Sequence, residues 1–333
     1  MYDLELEKLQ NLLIQKDYSR IAVQLPDGLL GDPLKSILEA IEDINKDIEI
    51  FVIGDPCFGA CDLGVHPALA ARCQALFHFG HSSFSPHLNT DSNLGLDIFY
   101  FEARVTIPVH SVLKKAIQEA QQRNFTSLGL ATTVQHLHAL PEIEELLGAA
   151  GFTVHVGRAT RRLQRGQILG CDIGRIETIL GPDIQATLFF GGGRFHALAL
   201  LRKTQKPVLI ADPYMEKLEI LDESDLRKFY RKRYAAVHKI RTANKVGILV
   251  STKTGQYNHK LMQQARKWLI TQGKTFLVVL VSTALPHHLS NFQVDGWIST
   301  LCPRVALDDA EQYQRPIINL EELDWDEYAP STL

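Results

Sequence analysis

The sequence predicts an α/β protein made of three similar small domains, each built on a parallel sheet, in a pseudo-threefold arrangement. Three observations predict it. Continuous apolar segments of strand length alternate with segments of helical spacing, the pattern of parallel sheets covered on both faces. The pattern restarts twice, with first strands near residues 21, 127 and 246, a spacing of roughly 105–120 residues that is domain-sized and too long for a solenoid repeat. The chain has 333 residues, 45% hydrophobic and 22% charged, which suits an ordinary globular protein with material for two or three domains. The expected domains are residues 1–105, 106–214 and 215–333.

In the first unit, residues 4–15 carry apolar side chains at helical spacing and predict an opening helix. Residues 21–25 are a strand closed by Pro26-Asp27-Gly28. A helix follows over 33–44, with Asp32 as its N-cap and Pro33 at its first position. Residues 48–53 read as a buried strand that ends in Gly54-Asp55-Pro56-Cys57-Phe58-Gly59-Ala60-Cys61-Asp62. A helix over 67–72 leads to a strand at 75–79, which exits through Gly80-His81-Ser82-Ser83, and to a fourth strand at 98–101.

The second unit repeats the scheme with strands at 127–131, 152–156, 186–190 and 207–211 and a helix at 141–150. Its third strand exits through Gly191-Gly192-Gly193-Arg194-Phe195-His196. The third unit opens with a basic helix over 225–240. Its strands are expected at 245–250, 275–281, 295–299 and 315–320, with a helix at 259–271. Its first strand exits through Ser251-Thr252-Lys253-Thr254-Gly255-Gln256.

The net charge of −3 argues against nucleic acid as a direct partner. Residues 1–20 are charged and amphipathic, without the apolar core of a signal peptide, and no run reaches membrane-spanning length, so a cytoplasmic location is expected. Five cysteines in a chain of this length do not suggest a disulfide framework. Their uses are packing, metal ligation or redox chemistry.

Cys61 and Cys171 follow the second strand of their units and Cys302 follows the third, all at carboxyl ends of strands, where α/β proteins bind ligands. A pseudo-threefold fold can bring them to one point. Three thiolates suit a 4Fe–4S cluster with one iron left open. Zinc with three thiolates and a water or histidine is the alternative, with His78, His81 and His196 on neighbouring strand ends. Plain packing is the third reading, because free cysteine is among the most buried residue types. Packing suits Cys73, in Ala70-Ala71-Arg72-Cys73. Cys57 and Cys61 make Cys-x3-Cys, which resembles the first half of the radical-enzyme signature Cys-x3-Cys-x2-Cys, although no third cysteine follows.

Gly191, Gly192 and Gly193 permit close approach of backbone to a ligand and expose amide donors, so with Arg194 they suit a carboxylate or phosphate; a tight turn is the plain alternative. The 252–256 loop resembles a phosphate loop only loosely, since the glycine spacing is incomplete. Arg227-Lys228-Phe229-Tyr230-Arg231-Lys232-Arg233-Tyr234 reads most simply as a solvated helix face, with a docking surface for an acidic partner as its functional reading.

Taken in order, these blocks resemble the archaeal 2-(3-amino-3-carboxypropyl)histidine synthase family of diphthamide biosynthesis. Leu25-Pro26-Asp27-Gly28-Leu29 matches the early family motif, and Gly54-Asp55 with Gly59-Ala60-Cys61 matches the first cysteine motif. His78-x-Gly80-His81-Ser82 matches the next block. Leu169-Gly170-Cys171 and Cys302-Pro303-Arg304 match the second and third cysteine motifs, and Gly191-Gly192-Gly193-x-Phe195-His196 adds a sixth. Cys57-Phe58 stands where the family usually has threonine and tyrosine, and Asp62 replaces a frequent second cysteine.

The resemblance implies a homodimer whose subunits each hold a 4Fe–4S cluster through Cys61, Cys171 and Cys302. It implies S-adenosylmethionine bound at the open iron and reductive cleavage of its sulfur–γ-carbon bond, with electrons from a separate donor. The 3-amino-3-carboxypropyl group then joins a histidine of translation elongation factor 2, and methylthioadenosine leaves. The expected contacts to S-adenosylmethionine are Gly191, Gly192, Gly193, Arg194, His196, Thr252, Lys253, Gly255 and Gln256, with Asp27 and His81. Two rivals are a quinolinate synthase-like cluster enzyme of similar architecture and a non-catalytic, metal-stabilised partner subunit. The first lacks the Cys302-Pro303-Arg304 block, and the presence of all three cysteines argues against the second.

Overall fold

The computed structural model describes residues 1–83, 95–173, 181, 183–253 and 255–328. It forms two compact units, Met1–Ile220 and Leu221–Leu333.

The first unit opens with β1 (Tyr2–Asp3) and α1 (Leu6–Gln15), followed by β2 (Arg20–Gln24), α2 (Asp32–Glu42), β3 (Glu49–Val52), α3 (Val65–Ala70), β4 (Ala75–Phe79) and β5 (Asp97–Phe101). These four longer strands form a parallel sheet in the order β3-β2-β4-β5. β6 (Arg104–Val105) pairs with β1 in antiparallel fashion and ties the opening residues to the end of this sheet. β4 is buried throughout because it is central and covered on both faces, with its Phe77 and Phe79, and Phe101 of neighbouring β5, fully inside. Gly31, and not Asp32, occupies the N-cap of α2; Asp32 is the first helical residue, where its carboxylate lies at the positive end of the helix. β3 departs from the buried strand expected over 48–53: it lies at the sheet edge, and Phe51 and Val52 remain 39% and 41% exposed.

The same unit continues through α4 (His110–Gln122), β7 (Ser127–Thr132), α5 (Leu140–Ala149), β8 (Thr153–Val156), β9 (Ala186–Phe190), α6 (Arg194–Thr204), β10 (Val208–Asp212) and β11 (Lys217–Leu221). Its second sheet has the order β11-β10-β9-β7-β8. β11 therefore extends this sheet past the expected junction at 214/215. Leu113, Leu130, Ile143, Leu147, Leu188 and Phe190 form the centre of the core beneath it.

The second unit contains α7 (Glu223–Thr242), β12 (Lys245–Ser251), α8 (His259–Thr271), β13 (Thr275–Val281), α9 (Pro286–Leu289), β14 (Gly296–Ser299), α10 (Arg304–Leu307) and β15 (Ile317–Asn319). The sheet is parallel, in the order β13-β12-β14-β15. Asp222 caps α7 in a reciprocal capping box with Asp225, which starts the helix two residues before the expected position. The basic stretch of α7 is not simply a solvated face. Arg233 is 4% exposed and donates to the Glu322 carboxylate at 2.7 and 2.5 Å and to the Ile317 carbonyl at 2.9 Å. Arg227 pairs with Glu223 at 2.7 Å and Lys232 with Glu311 at 2.6 Å.

The parallel strands of all three sheets share one order, with the first strand flanked by the second and third and the fourth beyond the third; the second sheet adds β11 outside its fourth. The direction of chain progression reverses between first and third strands, which opens a crevice at their carboxyl ends. Those ends carry Pro26-Asp27-Gly28 with Gly80-His81 in the first sheet, Thr132-Thr133 with the glycine exit in the second, and the 252–256 loop with Cys302 in the third.

Candidate metal centre

The cysteine loop after β3 is fastened to β2 by one buried amide. Gln24 accepts from the Gly64 N–H at 2.9 Å and donates to the Asp62 carbonyl at 2.9 Å. The loop closes on itself through the Asp62 N–H to the Gly59 carbonyl at 2.9 Å. Phe58 N–H also donates to the Asp62 carboxylate at 3.3 Å. A Cβ on Gly59 would stand 3.5 Å from the Cys61 sulfur, so the small residue keeps the thiol's approach open. Cys61 is half-buried and Cys57 is buried.

At the neighbouring β4 exit, His78 is fully buried and its Nδ1 lies 2.9 Å from Gln24 Oε1. Because Gly64 fixes that oxygen as an acceptor, His78 carries its proton on Nδ1. Its Nε2 accepts from His81 Nδ1 at 3.0 Å. Burial holds the His78 pKa well below its ordinary value, helped by the His81 charge, and pushes His81 down to about 4, so both rings are neutral at pH 7.

Cys171 is carried by the segment that returns from β8 past the end of β7. Thr132 N–H donates to Gly166 at 2.9 Å and Ile168 N–H donates to Thr132 at 2.9 Å, setting residues 166–168 beside the strand end. Leu169 and Asp172 then exchange backbone bonds of 2.7 and 3.2 Å, a tight turn that presents Cys171. The thiol touches solvent, yet the dense chain around it and then the Cys61 charge push its pKa up to about 11. Arg162 acts in the opposite direction. Tyr100 is pushed up to about 12 by burial and then by Cys61. Cys61, Cys171, Tyr100 and Arg162 therefore share one locality although they come from two sheets.

Polar side chains join these two sheet edges. Gln135 donates to the Gly80 carbonyl at 2.6 Å and Gln167 to the Ser82 hydroxyl at 3.2 Å. Gly170 lies directly under the Phe195 ring, leaving no room for a Cβ. Gly170→Ala is expected to push the Cys171 turn outward, at a strain of roughly 1–3 kcal/mol. Iron uptake should fall, and adding Phe195→Ala should restore part of it. Unchanged iron uptake in Gly170→Ala would show that the turn yields without moving the thiol.

The glycine exit has Gly191 at φ +147° and Gly193 at φ +83°, conformations that disfavour any side chain. Gly193 leads into α6 and exposes its first amides. Arg194 pairs with Glu219 at 3.1 Å, so its guanidinium is shared with β11. His196 stacks on Phe189 with centroids 5.8 Å apart and meets Phe195 edge-on. Asp27 is exposed in a single 3-10 turn, Asp27–Leu29.

Sequence reasoning passed over His136, which faces Phe190 and Tyr214 edge-on at 5.2 and 5.5 Å and contacts the position above Gly191. Burial, then the His138 charge, lowers its pKa to about 4. Its signal was a histidine shortly after a strand with a threonine-rich exit. Gln24 was also passed over; a glutamine inside an apolar strand was the available sign.

In the second unit, Cys302 is half-buried in the turn after β14. Thr300 bonds the Leu249 carbonyl through its N–H at 2.9 Å and its hydroxyl at 2.8 Å. Asn319 holds the Pro303 carbonyl at 3.2 Å. The 252–256 loop leaves the adjacent strand at the same sheet edge: Thr252 N–H donates to Val281, and Gln256 N–H donates to Lys253, at 2.9 and 3.0 Å. Gly255 lies in this turn, while Thr254 lies outside the described residues. Cys73 is buried among Ala22, Ile53 and Leu76, as its packing role required, although it follows α3 and is not in it. None of the five cysteines is in a disulfide. Among the described residues, no helix is long and apolar enough to cross a membrane.

A family model for diphthamide synthesis proteins matches residues 25–325. The chain is 32% identical over 308 residues to the 2-(3-amino-3-carboxypropyl)histidine synthase of Pyrococcus horikoshii, covering 92% of this chain and 84% of that protein. It is 29% identical over 334 residues to the protein of the same name from Methanocaldococcus jannaschii, covering 97% and 89%. It is 30% identical to subunit 1 of the Schizosaccharomyces pombe synthase, over 95% of this chain and 72% of that one. Among solved structures, the crystal structure of Dph2 from Pyrococcus horikoshii with a 4Fe–4S cluster superposes with a TM-score of 0.83 at 29% identity, covering 97% of this chain and 90% of the other.

Proposed function

Because this chain belongs to the diphthamide synthesis protein family, we propose that it transfers the 3-amino-3-carboxypropyl group of S-adenosylmethionine to a histidine of translation elongation factor 2. This is the first step of diphthamide biosynthesis. The observation that carries the reading is the shared locality of Cys61 and Cys171 in a chain similar, over nearly its full length, to a protein solved with a 4Fe–4S cluster.

The donor set fits such a cluster: thiols at carboxyl edges of sheets, on short turns, none tied up in a disulfide. Cys61, Cys171 and Cys302 would hold it, one from each of the three expected domains. When bound with one iron open, the cluster supplies the electron that breaks the sulfur–γ-carbon bond of S-adenosylmethionine, the hard chemistry that side chains cannot perform.

The chain's own residues orient the substrate. The amides at Gly192 and Gly193 and the start of α6 suit the methionine carboxylate, while Gly191, whose N–H already donates to the Ala211 carbonyl at 3.0 Å, contributes close backbone approach. His196 adds a polar edge, while Arg194 can join only by loosening its pair with Glu219. Thr252, Lys253, Gly255 and Gln256 are proposed for the remaining polar groups, and Asp27 for the amine. His81 is already bonded to His78, which leaves it less suited to this task.

The protein substrate must reach the cluster. Arg161 and Arg162 are exposed on the segment leading to Cys171, whereas Arg165 is engaged with Glu144 at 2.6 and 2.7 Å. We assign the first two to steering of an acidic face of elongation factor 2. We further propose a homodimer, a separate electron donor and a cytoplasmic setting, and the family match favours the synthase reaction over a quinolinate synthase-like one or a non-catalytic subunit.

Reversing Arg161 and Arg162 to glutamate tests the partner. Modification of the elongation-factor histidine, followed by mass spectrometry, is expected to slow about tenfold or more at low ionic strength, and the wild-type rate should fall as salt rises. Cleavage of S-adenosylmethionine without the partner should fall far less, by no more than the loss of the Arg162 charge beside Cys171 costs. Equal loss of both reactions, or modification indifferent to salt, would remove these arginines from the docking surface.

A further inference from the structure

We propose that Cys57, His78 and His81 form a second metal site, for a single zinc-class divalent ion with one open coordination position, distinct from the thiolates assigned to the cluster. One donor atom from each residue lies within 4.8 Å of the other two; Cys57 and His78 are buried and His81 is half-buried. The facing ring nitrogens of the histidines stand 3.0 Å apart. Two nitrogens on a tetrahedral ion, at bond lengths of ~2.0–2.1 Å, are separated by about 3.3 Å. The rings are thus within a few tenths of an ångström of the separation an ion demands, and the sulfur, no more than 4.8 Å from either ligand nitrogen, needs to close by at most about an ångström.

The surroundings of this triad are those of a ligated histidine. A metal-bound imidazole typically donates its other N–H to a carbonyl, which fixes ring and tautomer. His78 does so to Gln24, whose oxygen is pinned by Gly64 N–H and whose amide is pinned by the Asp62 carbonyl. His78 Nε2 therefore presents its lone pair on the side of the ring that faces His81. The proton now on His81 Nδ1 can move to its Nε2 when an ion enters, and the thiol proton leaves to water, so charge and protons balance. The Cys57 thiol lies 3.9 Å from the carbonyl oxygens of Gly59 and Asp62, contacts long for hydrogen bonds and readily exchanged for a metal bond. A thiolate with two imidazoles selects zinc-like ions over magnesium or calcium. Three protein ligands leave a fourth position for water or a small ligand.

The test uses the full chain, reconstituted anaerobically so that the cluster thiolates are occupied, then equilibrated with Zn2+ and passed over a chelator. The expected result is about one retained zinc per chain. Zinc-edge X-ray absorption should show one sulfur at about 2.3 Å and two nitrogens at ~2.0–2.1 Å. Cys57→Ala and His81→Asn should each weaken zinc binding by more than the roughly 10–100-fold typical of losing a supporting contact. Iron should stay at about four per chain. Zinc retained by Cys57→Ala, a sulfur-rich shell, or no retained zinc would overturn the proposal. Loss of iron in Cys57→Ala would overturn it too, by assigning that thiol to the cluster. If the wild-type chain takes up no iron, the cluster reading fails separately, and the same zinc measurement on a Cys61→Ala, Cys171→Ala, Cys302→Ala chain decides this site.

Discussion

Replacing Cys61, Cys171 or Cys302 by alanine is expected to strip or destabilise the cluster and lower turnover roughly a thousandfold or more, about 4 kcal/mol on the barrier. The size follows from the division of labour. Under the proposed function the electron that cleaves the carbon–sulfur bond would come from the cluster, because side chains do not supply single electrons for such a step. Iron analysis and visible absorbance read the first effect, and methylthioadenosine formation reads the second. Cys73→Ala is the control, because that thiol packs against Ala22, Ile53 and Leu76 and should leave iron untouched. A full cluster in Cys61→Ala together with its loss in Cys57→Ala would move the first ligand four residues upstream.

Glu322→Ala should produce the largest loss of stability in the second unit, roughly 3–5 kcal/mol. It would leave the Arg233 guanidinium buried without its carboxylate and the Asn319 N–H without its 2.7 Å acceptor. The effect would extend to the candidate centre, since Asn319 also holds the carbonyl of Pro303, next to Cys302. All three tryptophans, Trp268, Trp297 and Trp325, belong to Leu221–Leu333, so tryptophan fluorescence during denaturant unfolding reports this unit alone. A double change to Arg233→Met with Glu322→Leu should recover most of the loss, because apolar replacement of a buried pair is often neutral. A cost below about 1 kcal/mol for Glu322→Ala would make the pair equivalent to a surface bridge.

Periodicity carried much of this fold into the sequence. Ala75–Phe79, Ala186–Phe190 and Thr275–Val281 were legible because short, nearly all-apolar runs have few other uses. Edge position was not legible: residues 48–53 are as apolar as a central strand, and only the pairing order leaves Phe51 and Val52 uncovered. α6 was hidden behind three glycines, which read as a turn although the last of them leads into a helix. α4 and β11 were also missed, and β11 carried the second sheet past its expected end.

The candidate centre divides in the same way. Thiols after strands were visible one by one, since a loop cysteine at a carboxyl edge is a local pattern. The partners of those loops were not, because Gln24 meets Asp62 and Gly64 across about forty residues of chain, and Phe195 meets Gly170 only after both loops fold. The basic run in α7 also misled: charge pattern does not distinguish exposed Lys232 from Arg233, which a carboxylate ninety residues away draws inside.

A cluster held by Cys61, Cys171 and Cys302 would direct cleavage to one particular carbon–sulfur bond of S-adenosylmethionine. The most direct measurement is the nucleoside formed when anaerobically reconstituted, reduced protein is incubated with S-adenosylmethionine and elongation factor 2. Methylthioadenosine is expected, formed in step with modification of one histidine. Formation of 5′-deoxyadenosine in its place would contradict it, because a different bond of the sulfonium would then be the one that breaks.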